Sequence, residues 1–242
     1  MQKTNASEHS QIHGLKNEGA ARLAEADIVD RIYSAVLAQR LPPGTKLSES
    51  ALCEAFQVSR MRIRRALLLL AGREIVELHS NRGAYISRPT PAEARSVFEA
   101  RRTIEPTVIS NVVKQITDEE ITKLQIHMDA EKTARETNNR RDAIRLSGEF
   151  HVKLAGIGAN AVLKRFVKEL VARTSLIIGM FEAPGVTNCS GEEHKDLLDT
   201  IREKNADRAM ELMLQHLHHI ERDIDLTRVE RQDPDIRQIF SE

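Results

Sequence analysis

Four arginines fall within one short stretch, Ser59-Arg60-Met61-Arg62-Ile63-Arg64-Arg65. A guanidinium is a planar fork of donors that can grip a phosphate, or the O6 and N7 atoms of guanine, with two bonds at once. If the stretch opens a helix, Arg60 and Arg64 share a face. The helix N-terminus already carries partial positive charge, so stacking arginine there costs stability. That cost calls for a negative partner outside the chain, and a nucleic-acid backbone supplies one.

Three histidines have a second kind of chemistry. His194 lies about eleven residues before Asn205-Ala206, and His216 about eleven after it. If the chain turns there as an antiparallel helical hairpin, the two come level and can converge on one site. Phe150-His151 lies on an earlier segment and can approach from across a bundle. Imidazoles from three helices can hold zinc or a similar divalent ion and leave positions open for a ligand. The alternative is a metal-free pocket in which His151, His194 and His216 bond an effector directly. His127, His218 and His219 show no such symmetry and read as surface residues. Arg101 and Glu105 are four apart, so they either pair with each other or Arg101 reaches into the bundle toward a bound carboxylate. Asn160 and Arg173 are weaker pocket candidates, with a helix cap and a surface ion pair as their competing roles.

Elements of the right kind lie around these residues. Ile28, Ile32, Ala35 and Val36 repeat at helical spacing over 26–39, and Leu41-Pro42-Pro43-Gly44 ends that helix. Lys46-Leu47 reads as a short extended piece. Ser48 suits the cap of a short helix over 49–55. Phe56-Gln57-Val58 is a turn, and Ser59 caps a third helix to about residue 72. Two strands follow over 75–78 and 84–87, joined by the basic connection His79-Ser80-Asn81-Arg82-Gly83. Three helices and a β-hairpin in this order predict a winged helix-turn-helix.

In that motif the residues opening the second helix of the pair reach base edges in the major groove. Here these are Ser59, Arg60, Met61, Arg62 and Arg64. Arg82 would lie over the neighbouring groove, and Ser48 and Ser50 could donate to phosphate. Arg88-Pro89-Thr90-Pro91 reads as an interdomain joint whose prolines stop helix and strand alike. Everything beyond reads helical, with spans near 92–114, 118–137, 141–155, 162–181, 192–203 and 206–229. Breaks are expected at Thr117, Asn138-Asn139, Gly156–Asn160, Pro184-Gly185 and Asn205. The expected division is a disordered leader 1–25, a DNA-binding unit 26–88, a helical unit 89–230, and a tail 231–242. The fold class is mainly α.

Composition agrees with this division. The chain of 242 residues balances 36 basic against 36 acidic side chains. Residues 27–88, however, carry ten Lys/Arg and six Asp/Glu, a net +4, and leave −4 for the remainder. Trp is absent, with two Tyr and six Phe, so aliphatic side chains must fill the core, which suits helix-on-helix packing. Cys53 and Cys189 are too far apart in sequence for a metal pair and read as a reducing, cytoplasmic setting. No run of about 18 apolar residues is present, so no membrane partner is expected. Neither a nucleophile triad nor a phosphate-cradling glycine loop is evident.

The stretch Leu47-Ser48-Glu49-Ser50-Ala51-Leu52-Cys53-Glu54-Ala55-Phe56-Gln57-Val58-Ser59-Arg60-Met61-Arg62-Ile63-Arg64-Arg65-Ala66-Leu67 resembles the winged-helix reader of GntR-type bacterial transcription regulators. Asn81-Arg82-Gly83-Ala84-Tyr85-Ile86 resembles their wing. The helical remainder resembles the FCD sensing domain of the FadR-type subgroup. This resemblance implies operator contacts by Arg60 and Arg64, with Arg62 between them. Met61 and Arg62 stand where small polar residues are common, and Arg65 where an acidic residue is usual, so the operator sequence does not transfer.

Sensing domains of this subgroup carry Asp-x-x-Phe-His, Glu-His and a final-helix His as metal ligands. The matching segments here are Ser147-Gly148-Glu149-Phe150-His151, Glu193-His194 and Gln215-His216. Ser147 replaces the aspartate, and Glu149 lies about 200° around the helix from His151 and cannot take its place. A three-histidine metal site, less charge-compensated, is what the resemblance leaves. Arg101-Arg102-Thr103-Ile104-Glu105 resembles the first-helix signature of the domain, so the effector residues expected are Arg101, Ser147, His151, His194 and His216. The function implied is a homodimeric regulator, a repressor, released from double-stranded operator DNA by a small carboxylate. The alternatives are an architectural DNA-binding protein without effector, or a helical metalloenzyme whose histidines activate water.

Overall fold

The structure, a computed structural model, describes residues 23–182 and 191–227. Most of the leader, the break at Pro184-Gly185, Cys189 and the tail 231–242 lie outside the described residues. The first helix, α1 (Glu25–Leu37), is started by Asp27, which reaches back to the Ala24 N–H at 2.8 Å. Ile28, Ile32, Tyr33 and Val36 form its buried face. The chain continues through β1 (Lys46–Leu47), α2 (Glu49–Phe56) and α3 (Arg60–Ala71). Between the last two, Gln57 takes the left-handed conformation, φ 54°, and closes α2.

The hairpin of β2 (Val76–His79) and β3 (Gly83–Ile86) follows. Its tight turn needs positive φ at Asn81 (63°) and Gly83 (96°). Lys46-Leu47 is more than an extended piece. It pairs antiparallel with Tyr85 and Ala84, giving a three-stranded sheet in the order β1-β3-β2. Ile63, Leu67 and Leu70 of α3 pack with Ile28, Ile32, Ile75 and Ile86 in one apolar core.

The prolines before the bundle do not both break structure. Pro91 occupies the first turn of α4 (Pro91–Gln115), where its missing N–H has no helical partner to lose. Thr90 and Glu93 form a reciprocal cap there, with Glu93 N–H donating to Thr90 Oγ1 at 3.3 Å and Thr90 N–H to Glu93 at 2.6 Å. Then come α5 (Asp118–Glu136), α6 (Arg140–Ile157), α7 (Ala161–Phe181), α8 (Gly191–Arg202) and α9 (Ala206–Arg222). Asn139, Asn160 and Asn205 each cap the helix that follows through a side-chain oxygen. The α9 helix stops earlier than the expected residue 229. Asp223 closes it, and Ile224 bridges antiparallel to Glu182 at the end of α7. Val108, Val112, Leu124, Phe150, Leu154, Leu198 and Met213 form the bundle core.

The winged unit is seated on the bundle. Ala172 and Leu176 of α7 complete its apolar core. Ser175 Oγ lies 3.2 Å from the carbonyls of both Val36 and Leu37 at the end of α1, and Gln39 Nε2 donates to Ser175 O at 3.3 Å. On α6, a Cβ at Gly148 would fall 2.7 Å from Leu37 Cδ1 and 2.9 Å from Val171 Cγ1, so any larger residue must push those side chains aside. Lys168–Asp30, Arg73–Glu169 and Arg173–Glu74 ion pairs surround the seat.

Candidate metal centre and nucleic-acid interface

The helical hairpin of α8 and α9 brings His194 and His216 level, and α6 brings His151 to meet them. All three are buried, and their Nε2 atoms converge. His151 Nε2 is 3.1 Å, and His194 Nε2 3.2 Å, from His216 Nε2. Behind each ring stands a carboxylate. Glu105 of α4 lies 2.6 Å from His151 Nδ1, Glu131 of α5 2.9 Å from His194 Nδ1, and Glu193 of α8 2.8 Å from His216 Nδ1. Phe150 stacks on the His194 ring at 4.3 Å between centroids, which helps fix its plane.

Electrostatics decide how these groups are protonated. Burial alone would raise all three carboxylates. For Glu105, the Arg101 and His151 groups reverse that and hold it well below the usual carboxylate range. Hydrogen bonds from His194 and Arg135 bring Glu131 down to about 2. Those from His216 and His219 do the same for Glu193, also about 2. Burial drives His151 down to about 3 against the pull of Glu105, so its ring is neutral.

An ionised carboxylate only accepts, so each Nδ1 carries the proton and donates it. In the neutral ring of His151 that tautomer leaves a lone pair on Nε2. Three imidazole nitrogens converging on one point, each with its Nδ1 already committed to a carboxylate, suit a cation. With zinc–nitrogen bonds of about 2.0–2.1 Å, tetrahedral ligand nitrogens lie about 3.3 Å apart, close to the spacings here. Carboxylates behind ligating histidines are the usual means of orienting them and raising their basicity. The donor set fits a divalent metal. The charge compensation expected to be missing is present one layer out, although the Ser147 position supplies none of it. Ser147 is half-buried one turn before His151. Among the described residues, no Asp, Glu or Cys joins the converging histidine nitrogens.

Other expectations for this half are corrected or sharpened. His127 is buried, with its Nε2 2.8 Å from Leu146 O, because α5 packs on α6 there. His219 is half-exposed but shares Glu193 with His216, so it belongs to the periphery of the centre. His218 is exposed. Arg101 does pair with Glu105, at 2.5 Å, and also donates to Thr174 Oγ1 of α7 at 3.2 Å. Its Nη2 is buried and has no hydrogen-bond partner among the described residues. Asn160 caps α7, and Arg173 pairs with Glu74 across the two units.

Sequence reasoning missed Glu131 altogether. It lies 63 residues from His194, and no local spacing ties the two. Local spacing ties Glu105 to Arg101 and Glu193 to His194, and carries no sign of their bonds to His151 and His216.

At the other end of the molecule, Ser59 stands at the N-cap position of α3 but makes no side-chain cap bond. Arg60, Met61 and Arg64 are exposed on its first turns, and Arg82 is exposed at the wing tip. Ser48 and Ser50 are exposed and share a hydrogen bond of 2.8 Å. Arg62 departs from the expectation of a base-edge contact. Its Nη1 donates to Leu23 O at 3.1 Å and its Nε lies 3.9 Å from Glu25, because its position on α3 turns it toward α1. The cationic cluster is also partly compensated from within the chain. Glu25 serves Arg62 and Arg65, and Glu49 serves Arg60 and Arg64.

A winged helix-turn-helix seated on a helical bundle is the architecture of a DNA-binding transcription regulator. Two family models agree. Residues 24–86 match the gntR family of bacterial regulatory proteins, and residues 96–219 match the FCD domain. The chain belongs to the GntR family, with an FCD domain as its second half, and is a transcription regulator rather than an enzyme.

It is 25% identical over 218 residues to the HTH-type transcriptional repressor RspR of Escherichia coli (strain K12), covering 90% of this chain and 92% of that protein. It is 27% identical over 217 residues to the Uxu operon regulator of Haemophilus influenzae, covering 82% and 78%. Among solved structures, E. coli McbR/YncC superposes with a TM-score of 0.72 at 15% identity, covering 80% of this chain and 93% of that one. A GntR regulator from Rhodococcus sp. RHA1 gives 0.68 at 18%, covering 82% and 95%. These structural likenesses concern the fold. No helix among the described residues is long and apolar enough to cross a membrane.

Proposed function

We propose that the protein is a cytoplasmic, homodimeric repressor whose grip on operator DNA is released by a small carboxylate bound beside the histidine centre. The observation that carries the sensing half is the set of three converging Nε2 atoms, each imidazole oriented by its own carboxylate. A divalent ion such as zinc, held by His151, His194 and His216, would supply a Lewis-acidic anchor for an effector oxygen. The unpartnered Nη2 of Arg101 is a buried cationic donor in the same bundle, which supports an anionic effector. Ser147 lies on the His151 helix, one turn away, and is proposed as a further contact for the ligand. Repression is supported by the relative that bears the name of a repressor.

The DNA half is supported by exposed Arg60, Met61 and Arg64 at the start of α3, with Ser48, Ser50, Ser59 and Arg82 around them. Communication has a physical route. His151 bonds Glu105, Glu105 bonds Arg101, and Arg101 bonds Thr174. The next residue, Ser175, holds the carbonyls that end α1. An effector that draws Arg101 away from Thr174 acts on the helix that seats the winged unit, and a bias of a few kcal/mol between two dimer geometries is enough for release.

The reading is tested by metal analysis of purified protein, alongside release of promoter DNA by a panel of small carboxylates. Wild type is expected to hold a divalent ion, and His194→Ala to lose both the ion and the release while still binding DNA. A His194→Ala protein that keeps full carboxylate response would refute the sensing site.

A further inference from the structure

We propose that Glu49 of α2 is a positioning residue for sequence readout, bracing the Arg64 guanidinium so that its free edge is presented to an operator base. This rests on the DNA-reading role given to α3 above. Both carboxylate oxygens of Glu49 accept from Arg64 Nε, at 2.9 and 3.0 Å. Among the described residues the two Nη groups of Arg64 make no such bond and, on a side chain 57% exposed, remain available as the pair that can meet guanine O6 and N7. Glu49 Oε2 lies 3.6 Å from Arg60 Nε, beyond hydrogen-bond distance, so the brace falls on Arg64.

The local structure explains why the brace must come from α2. The first turn of α3 contains no acidic residue, and Ser59 provides no side-chain cap. Glu49 itself is the first residue of α2, where a carboxylate suits the helix dipole. A long arginine loses rotamer freedom when it is fixed. Fixing it before DNA arrives removes part of that cost from binding.

A carboxylate at a DNA-facing surface has a second effect of opposite sign. It repels every phosphate, whatever the sequence. The brace acts only where a base is read; the repulsion acts on all duplexes. The two effects therefore separate when specific and non-specific binding are measured together.

The full-length protein is first used to select a duplex from a random library. Affinities for that duplex and for a scrambled duplex of equal length are then compared at one fixed salt concentration. Glu49→Ala is expected to weaken the selected duplex by about tenfold, the scale of one bidentate arginine–base pair, and to bind the scrambled duplex as well as or better than wild type. Glu49→Gln keeps one acceptor and falls between. In an Arg64→Ala background, Glu49→Ala is expected to leave the ratio of the two affinities unchanged. Melting temperatures of all variants confirm that the fold is kept. If Glu49→Ala shifts both duplexes by the same factor, or still lowers specificity in the Arg64→Ala background, the brace is overturned. A wild-type protein that selects no duplex would instead remove the DNA-reading role on which the brace depends.

Discussion

Arginines of the same type, a few residues apart, do different work in this chain because of where the helix turns them. Arg62 is half-buried against α1, whereas Arg60 and Arg64 stand exposed. Single truncations should therefore differ. Arg60→Ala and Arg64→Ala are each expected to weaken operator binding by about 1–3 kcal/mol while leaving effector binding intact. Arg62→Ala should act mainly on the stability of the winged unit. Gel-shift titrations paired with thermal melts check this, and unchanged DNA affinity in both exposed variants would refute the groove assignment. The histidines show the same dependence on surroundings. His151, His194 and His216 become a donor set only because Glu105, Glu131 and Glu193 stand behind them. His127, with a backbone carbonyl as its partner, does not join them.

Among the elements, α7 links the two halves. Its Thr174 receives Arg101 on one side, and its Ser175 meets the end of α1 on the other. The neighbouring α6 carries His151 toward the centre and, one turn earlier, Gly148 beneath Leu37. A methyl at Gly148 would collide with Leu37 and Val171, and overpacking of this kind costs about 1–3 kcal/mol. Gly148→Ala is thus expected to lower the melting temperature and to loosen the seat of the winged unit. Faster amide exchange at the end of α1, with exchange around His194 and His216 unchanged, is the expected signature. Exchange that rises equally throughout would mean the glycine serves general folding rather than this seat.

For the whole molecule, balanced charge hides a division of labour. A basic reader sits on a bundle whose centre holds three ionised carboxylates behind three imidazole rings. A cation among the converging nitrogens would tie α6, α8 and α9 together, so the bundle should be measurably less stable when stripped of metal. Binding at a hundred times its dissociation constant adds about 2.7 kcal/mol, which for a chain of this size is about 5–10 °C in melting temperature. Chelation should lower Tm by that amount in wild type, zinc should restore it, and His194→Ala should melt the same with or without chelator. An unchanged wild-type Tm would argue for a metal-free centre.

The order of elements was legible in the sequence because helices, caps and hairpins are local. Ser48, Asn160, the apolar spacing of Ile28 and Ile32, and Gly83 after a polar turn each act within a few residues. The pairing of His194 with His216 was legible too, since an antiparallel hairpin converts distance from its turn into height along two helices. Pro91 was misread because a proline that cannot continue a helix is well suited to begin one. What only the tertiary structure decided was anything spanning separate helices. It set Glu131 behind His194, placed Glu105 between Arg101 and His151, turned Arg62 inward and laid Glu49 across Arg64. The reason is geometric: each of these side chains meets its partner through the packing of two helices, and the angle and offset of that packing leave no period in the sequence.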